Sequence, residues 1–334
     1  MDPGVQRAWE AFSSVSTRLS DTKKRAMWRL AVGAPARGNG LTERQMKRAQ
    51  AEALQPLQVF QEVRPLDRNG QGVPVLCADV RKLLVHACEA SSFWREAFLH
   101  ASTQGDVLTP ILYHDEVSAG NILNPEARKK VLAAYLSFTQ LRPAISREET
   151  WLPLMLVQSV VVAQVEGCLS ALVRHVMKAI LNNSTQTRFW LALDGRAAAF
   201  RLEGPAFFMS DMDAQRATFN NKGSAGILPC LWCSNVIAGE HWRAVPGGVP
   251  THCSDPQLFR VRTDAQLFEA ADDLRRPRSA RDRAFREKAV GLNFCEESLL
   301  ADAVARTLLP PSHAAVDSMH AYFEKGVCDG SAAI

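Results

Sequence analysis

Two aspartates at the ends of apolar segments are the first residues in this chain that could do chemistry. Asp115 lies next to the last residue of "VLTPILYHDE" (107–116), and Asp211 ends "GPAFFMSD" (204–211). Both segments read as buried strands, each with a carboxylate at its C-terminal end. If the strands are neighbours, the carboxylates converge, and convergent carboxylates bind Mg²⁺ or Mn²⁺ for phosphodiester transfer. Acids at strand ends are also common in α/β proteins that bind no metal.

The Cys230-x-x-Cys233 pair is a second chemical feature and has three interpretations. Two thiolates at this spacing in a Gly/Pro-rich loop can share one Zn²⁺. The cysteines could instead be unligated core or surface residues. A redox pair would start a helix in a βαβ unit, whereas this pair follows a proline in a loop. Zinc is therefore the favoured interpretation.

A zinc site at the cysteine pair needs further ligands, and the sequence offers three. His252 and Cys253 lie downstream, with His241 as a further candidate. Adjacent residues rarely both bind one ion, so the second half of the site stays open. Separately, Asp317 and His320 share a helix face at i, i+3 and could approach a metal or phosphate. A capping aspartate and a surface histidine are the alternative for that last pair.

The segments around these residues predict a mixed α/β chain. Periodic apolar positions predict helices, buried apolar runs predict strands, and the Asp-Gly dipeptide at 194–195 predicts a hairpin turn. Residues 264–300 look helical, and their many charges are more typical of a solvated face than of a binding surface. The remaining expected elements are helices over 75–100, 124–141 and 164–181, a strand over 151–163, a hairpin over 188–202 and an irregular segment over 237–262.

Composition and charge limit the class of protein. The net charge is +4, yet residues 18–48 hold nine Lys or Arg against two acids. Such a basic arm suggests an anionic partner such as nucleic acid, although a solvated helix face would look the same. No apolar run reaches the ~18 residues of a membrane span, and no secretory signal is visible. Eight cysteines without a disulfide framework favour a reducing compartment, cytosol or nucleus.

Taken together, the motifs resemble those of CACTA-type (En/Spm-like) DNA transposases. In "GPAFFMSDMDAQRATFNNKGSAGILPCLWCSNV" an apolar strand ends in Asp, and Lys-Gly and Cys-x-x-Cys follow, as in that family. "VDSMHAYFEKGVCDG" resembles its D-x-M-H block, and "LYHDE" occupies the place of the first catalytic Asp. The resemblance covers roughly residues 105–334 and rests on the order and spacing of all three blocks.

The resemblance implies a ribonuclease H-like core of the DDE type, in which three acids hold two divalent ions. Asp115 would be the first acid and Asp211 the second, while Asp317 and His320 would form the D-x-x-H signature. Cys230 and Cys233 would belong to a small zinc knuckle. The last acid, usually a glutamate, lies further on in that pattern than the 14 residues that follow His320. The resemblance therefore implies a truncated or degenerate copy.

The expected protein is a transposase-derived α/β chain with a mixed sheet flanked by helices. Its ancestral activity would be DNA binding with metal-dependent phosphodiester cleavage and strand transfer. A non-catalytic zinc-containing module that binds nucleic acid or protein is the alternative. DNA is the expected partner, in the nucleus, or in the cytoplasm for a decayed copy, and a homo-oligomer is allowed. The expected domains are a basic arm (1–55), a helical region (56–104), the core (105–222), the knuckle (223–262) and the D-x-x-H region (263–334).

Overall fold

The computed structural model describes residues 59–118, 130–142, 144–182 and 188–316. The basic segment 18–48, Asp317 and His320 lie outside these described residues. The chain separates into two compact units, each described here on its own. Unit 1 contains the described residues up to Gln164 and the segment Ala179–Ala206, whereas unit 2 contains Val165–Lys178 and the described residues from Phe207 onward.

Unit 1 is built mainly from antiparallel strands. Five of them are hydrogen-bonded in the order β1-β2-β6-β5-β4, and a second sheet has the order β3-β8-β7. The strands are β1 Phe60–Val63, β2 Val75–Ala78, β3 Val107–Leu108, β4 Pro110–Ser118, β5 Lys130–Phe138, β6 Leu152–Gln158, β7 Phe189–Leu193 and β8 Arg196–Leu202. The helices are α1 Val80–Ala90, α2 Ser92–Ser102 and α3 Ser159–Val162, with 3₁₀ turns at Thr139–Leu141, Ala144–Ser146 and Glu148–Thr150.

Strand β5 corrects the helix expected over 124–141. Residues Lys130–Phe138 form an extended strand that pairs with β4 along its whole length and with β6 on its other side. Nearly every side chain of β5 is buried, because both faces of this central strand are covered. A strand buried on both faces loses the alternation of apolar and polar residues that would distinguish it from a helix. The helix prediction is therefore wrong for this segment.

The turn between β7 and β8 confirms the predicted hairpin. Asp194 and Gly195 have φ values of 47° and 81°, so both residues are left-handed. A two-residue turn with this geometry matches the right-handed twist of the flanking strands, and Asp-Gly tolerates it at low cost. The turn fixes the register, which pairs Leu193 with Arg196 and Phe189 with Phe200.

The segment predicted as one helix over 75–100 contains a strand and two helices. Asp79 follows β2 and caps α1, accepting hydrogen bonds from the backbone N–H groups of Arg81 (3.1 Å) and Lys82 (3.4 Å). This cap satisfies donors that the first helical turn leaves free, so the helix begins there and not five residues earlier. Helix α2 then places Phe98 against Phe138 and Phe200 in the core of unit 1.

Unit 2 joins helices to short parallel strands. Strand β9 pairs with β12, and β10 pairs with β11, both in parallel. The strands are β9 Phe207–Ser210, β10 Val236–Ile237, β11 Val249–Pro250 and β12 Ala314–Val316. The helices are α4 Cys168–Met177, α5 Met212–Thr218, α6 Asp264–Leu274, α7 Ala280–Val290 and α8 Ala305–Leu308, with 3₁₀ turns at Gly223–Ala225, Gly239–Ala244, Pro256–Leu258 and Pro311–His313. The described chain is thus mixed α/β, as the sequence predicts.

Helix α4 is the core helix of unit 2 and confirms most of the periodic segment 164–181. Its buried side chains recur at the spacing of one helix face and include Leu169, Leu172, Val173 and Val176. That face packs against α5 and α8 within unit 2. Helix α4 therefore supports the strand–helix junction at which β9 ends.

Candidate functional site

Asp211 follows the end of strand β9, as the sequence predicts, and the structure adds that helix α5 begins directly after it. Ser210 ends the strand and is fully buried, and Asp211 is the N-cap of the helix. Its Oδ1 accepts a hydrogen bond from the backbone N–H of Ala214 at 2.6 Å. Among the described residues, no recorded hydrogen bond involves Oδ2, so that oxygen is available to a cation. The carboxylate is therefore held in one orientation by a cap whose geometry leaves half of it unused.

The end of β12 coincides with the end of β9. The strands run parallel, and Val316 is the register partner of Ser210. The next residue along the sequence is an aspartate in each case, Asp211 after β9 and Asp317 after β12. Asp317 itself, like His320, lies outside the described residues. The register nevertheless predicts that two aspartates follow the same edge of a parallel strand pair, which is where α/β proteins place their functional residues.

The side chain of Gln215, on helix α5, links the ends of strands β9 and β12. It is fully buried, and its Nε2 donates to the Ala315 carbonyl oxygen at 2.6 Å and to the Ser210 carbonyl oxygen at 3.3 Å. One amide group thus bridges both strands to helix α5, one turn after the cap. Sequence reasoning missed this residue, because a glutamine in a helical segment is ordinarily read as a surface residue.

Asp115 lies in unit 1, within β4, where it is the register partner of Ala133 on β5. The strand continues three residues further, to Ser118, so the aspartate is near the strand end but not at it. Its neighbour across the sheet is Tyr135. Burial, and secondarily the negative charge of Asp115, raise the pKa of the Tyr135 hydroxyl to about 12. The joint use of Asp115 and Asp211 stays a prediction, since each belongs to a different unit.

Glu116, next to Asp115, is engaged in a hydrogen-bonded ion pair. Its carboxylate accepts from Lys130 Nζ at 2.8 Å and from Ser159 Oγ at 2.7 Å. Partial burial acts to raise the pKa of Glu116, but the two hydrogen bonds and the Lys130 charge outweigh it, so the pKa is lower than usual. Glu116 therefore ties β4 to β5 and to the start of α3, which accounts for it without a catalytic role.

This shift predicts a pH-dependent stability contribution. The folded-state pKa of Glu116 lies below its ordinary value of 4.5, so its stabilisation is present above that value and is lost as the pH falls through the lowered one. Glu116→Gln should lower the free energy of unfolding at pH 7 by less than about 1 kcal/mol, because the pair is partly exposed. Urea unfolding at about pH 7 and about pH 3 should show a larger difference at the higher pH. Glu89→Gln, on the exposed face of α1, is the control for charge removal.

The cysteine pair lies in a loop that is pinned to a neighbouring segment. Cys233 forms an antiparallel bridge with Val261, and the backbone N–H of Arg262 donates to the Trp232 carbonyl oxygen at 2.7 Å. Both cysteines are half-buried free thiols. Burial, and then the hydrogen bond and charge of Cys230, raise the pKa of Cys233 to about 12. The two sulfurs are therefore immediate neighbours.

Arg262 is the residue in this loop that sequence reasoning missed. Its side chain is buried, and its Nη2 donates to the Val290 carbonyl oxygen at 3.2 Å. Burial lowers the pKa of its guanidinium, while a negative charge on Cys230 would raise it. Arg262 and Cys230 are thus close enough to interact electrostatically. Nothing in the sequence "FRVRT" (259–263) indicates that Arg262 is buried, because arginine is usually exposed.

The predicted zinc ligands His252 and Cys253 do not form a metal-binding group with Cys230 and Cys233 among the described residues. His252 is exposed and Cys253 is half-buried, in a turn after β11 that is closed by the Cys253 N–H to Pro250 carbonyl bond of 3.1 Å. Across residues 59–118, 130–142, 144–182 and 188–316, no group of three or more His, Cys, Asp or Glu is arranged to hold a metal ion. Zinc binding by Cys230 and Cys233, with or without the downstream ligands, therefore stays a prediction.

A cavity of about 490 Å³ lies beside the cysteine pair, within unit 2. Helix α5 lines one side with Gln215 and Arg216, and the loop lines the other with Cys230 and Trp232. Phe259 completes the apolar part of the wall. Ligand pockets are usually lined by aromatic and aliphatic side chains with a small number of polar groups, and this cavity has that composition. The lining residue Gln215 lies one helical turn after Asp211, so the cavity and the end of β9 together form the candidate site.

Helices in the described ranges are all too short or too polar to cross a bilayer. Comparison of the chain with protein-family models and with curated proteins gave no match.

Proposed function

We propose that this chain derives from a DDE-type DNA transposase with a ribonuclease H-like core. Its ancestral activity is to bind DNA and, with Mg²⁺ or Mn²⁺, to cleave a phosphodiester bond and transfer the strand, and plasmid nicking would show that this chain retains it. The observation that supports this best is the parallel β9–β12 pair, whose paired last residues are each followed by an aspartate. Carboxylates converging at such an edge are the ligands that hard divalent cations prefer.

Each acid has a distinct place in this proposal. Asp211 holds the cation from the β9–α5 junction with the oxygen that its capping bond leaves available. Asp115 is the first acid, and Asp317 with His320 acts near the scissile phosphate. Bound divalent ions would supply activation of the attacking hydroxyl and charge stabilisation of the leaving oxygen. The basic segment 18–48 adds salt-dependent affinity for the DNA backbone.

The direct test of the activity uses the full chain and supercoiled plasmid DNA. Incubation with Mg²⁺ or Mn²⁺ should give nicked plasmid or strand-transfer products, whereas incubation with EDTA should give none. Equal nicking in both conditions, or no nicking in either, would contradict the proposal. Binding measured by gel shift in EDTA separates a chain that binds without cleaving from one that does neither.

A second candidate function is a zinc-containing interaction module without catalysis. Two observations favour it, namely the adjacent thiols of Cys230 and Cys233 and the buried guanidinium of Arg262 beside them. Zinc binds cysteine as the thiolate, so binding at this pair would release protons. This module would bind its partner in the absence of Mg²⁺.

Removing one thiol tests the zinc site itself. Cys230→Ser should lower bound zinc from about one ion per chain to near zero, because a knuckle with three ligands binds far more weakly. The metal content is measured on purified protein by plasma mass spectrometry. Cys168→Ser, which removes an exposed thiol elsewhere in unit 2, should leave the zinc content unchanged. Zinc retained by Cys230→Ser would exclude the knuckle.

A further inference from the structure

Helix α7 differs from the other long helices of the described chain because it buries no residue completely. None of its eleven residues is buried. Its fully exposed side chains include Arg281, Phe285 and Lys288, at positions i, i+4 and i+7. Residues at this spacing share one face of a helix. Arg276 and Arg278, in the turn before the Ser279 cap, are exposed as well. These five residues are called the basic stripe below.

Both acids of α7 are already engaged, and neither forms an ion pair with Arg276, Arg281 or Lys288 in the described part of the chain. Asp282 accepts from Arg286 Nε at 3.0 Å and from the backbone N–H of Arg278 at 2.9 Å. Glu287 pairs with Lys222 at 3.1 Å and accepts from the backbone N–H of Phe294 at 2.9 Å. The carboxylates of α7 thus already have partners, whereas Arg281 and Lys288 are exposed on the face that holds Phe285.

The cations of the basic stripe keep their charge available. In the described part of the chain, no carboxylate forms an ion pair with the side chain of Arg276, Arg281 or Lys288. An ordinary solvated helix face alternates charges of both signs and neutralises itself through i, i+4 pairs. A single-sign stripe attracts a polyanion, and its attraction depends on salt.

The exposed aromatic ring of Phe285 indicates which kind of polyanion would fit the stripe. Its side chain is 70% exposed, in the middle of the stripe, with a cation one turn away on either side. One exposed apolar residue is common on protein surfaces and needs no explanation alone. An aromatic ring between cations, however, is the arrangement on which nucleic-acid bases stack while their phosphates meet Lys and Arg. An acidic peptide or duplex DNA would use the cations but offer nothing to the ring.

We propose that the basic stripe binds single-stranded DNA, with phosphates on Arg276, Arg281 and Lys288 and one unpaired base stacked on Phe285. The distance along the helix from Arg281 to Lys288 is about 10 Å at a rise of about 1.5 Å per residue, enough for two or three phosphates of one strand. This assignment deepens the proposed function, on which it rests for the identity of the nucleic acid.

The test measures binding of the full chain to a labelled oligonucleotide by fluorescence anisotropy over a salt series. EDTA is present throughout, so cleavage can fail while this proposal holds. One variant combines Arg276→Gln, Arg281→Gln and Lys288→Gln. Its matched control combines Arg68→Gln, Arg142→Gln and Arg196→Gln, three exposed arginines of unit 1. Both variants lose three charges and keep the N-terminal arm, so only the position of the charges differs.

The plot of log affinity against log salt has a negative slope, and the stripe variant should make that slope less steep by about 2. Each lost phosphate contact contributes about 0.7 for a single strand. The control should change it little. Phe285→Ala should weaken single-strand binding about tenfold through lost stacking and leave duplex binding and the slope unchanged. Equal losses in the stripe variant and its control would overturn the proposal. So would equal effects of Phe285→Ala on single strand and duplex, or competition by polyglutamate as strong as by DNA.

Discussion

Asp211→Asn should reduce Mg²⁺-dependent nicking at least a hundredfold while the protein stays folded. Asparagine caps a helix about as well as aspartate, so its side-chain oxygen can replace Oδ1 in the 2.6 Å bond to the Ala214 N–H. What the substitution removes is the negative charge on the second oxygen, where the cation would bind. A bound metal supplies several kcal/mol to phosphodiester cleavage, and each 1.36 kcal/mol is tenfold in rate.

The neighbouring acid provides the control for this prediction. Asp213 lies in the first turn of the same helix, is exposed and pairs with Arg216 at 3.2 Å. Asp213→Asn removes the same charge two residues away and should leave nicking within about twofold, because an exposed pair contributes at most about 1 kcal/mol to stability. Melting temperatures of the two variants are compared with the wild type. Unchanged nicking by Asp211→Asn would remove Asp211 from the cation site.

Gly291→Ala should cause the largest loss of stability among single substitutions in unit 2. Gly291 ends α7 with φ +74°, and a Cβ there would lie far inside van der Waals contact with the Leu228 carbonyl oxygen and 2.9 Å from its carbonyl carbon. Backbone on both sides cannot rotate away as a flexible side chain would. Its own carbonyl oxygen accepts from the Lys222 N–H at 2.8 Å and from Asn221 Nδ2 at 3.1 Å. The clash therefore separates α7 from the segment that leads to the cysteine pair.

The expected cost is about 3–5 kcal/mol, the sum of left-handed strain and a main-chain clash that breaks these hydrogen bonds. Gly70→Ala is the matched control, with φ +75° and nothing within 4 Å of the added Cβ. It should cost only about 1–2 kcal/mol, the strain alone. Urea unfolding of the two variants separates strain from clash. Equal costs would show that the contact with Leu228 is relieved by a small shift.

Elements with a strong local signal follow from the sequence. The Asp194-Gly195 turn, the strand that ends before Asp211 and most of α4 depend on neighbours in the sequence, and the structure has them as predicted. Strand β5 does not follow, because its partners β4 and β6 decide its conformation and its own residues suit either state. Likewise the change from strand to helix at Asp79 depends on a capping side chain inside an apolar segment.

In the candidate site, too, some residues could be predicted from the sequence and others could not. Asp211 and the Cys230–Cys233 pair stand out because their residue types are unusual after an apolar strand and in a Gly/Pro-rich loop. Gln215 and Arg262 do not, since both residue types are commonly exposed and their burial results from tertiary packing. The basic stripe is a similar case. The composition of 264–300 suggests a solvated face, whereas the structure shows both acids of α7 paired with Arg286 and Lys222 and the side chains of Arg281 and Lys288 exposed.

The central claim is that the ends of β9 and β12 hold one divalent-cation site, and iron-directed cleavage of the protein chain tests it most directly. Fe²⁺ replaces Mg²⁺ at carboxylate sites and, with ascorbate and peroxide, cuts the backbone next to the bound ion. The proposal predicts two cuts in the full chain, near residue 211 and near residue 317, both suppressed by excess Mg²⁺ and absent in Asp211→Asn. Cuts confined to other segments, or cuts unaffected by Asp211→Asn, would contradict it.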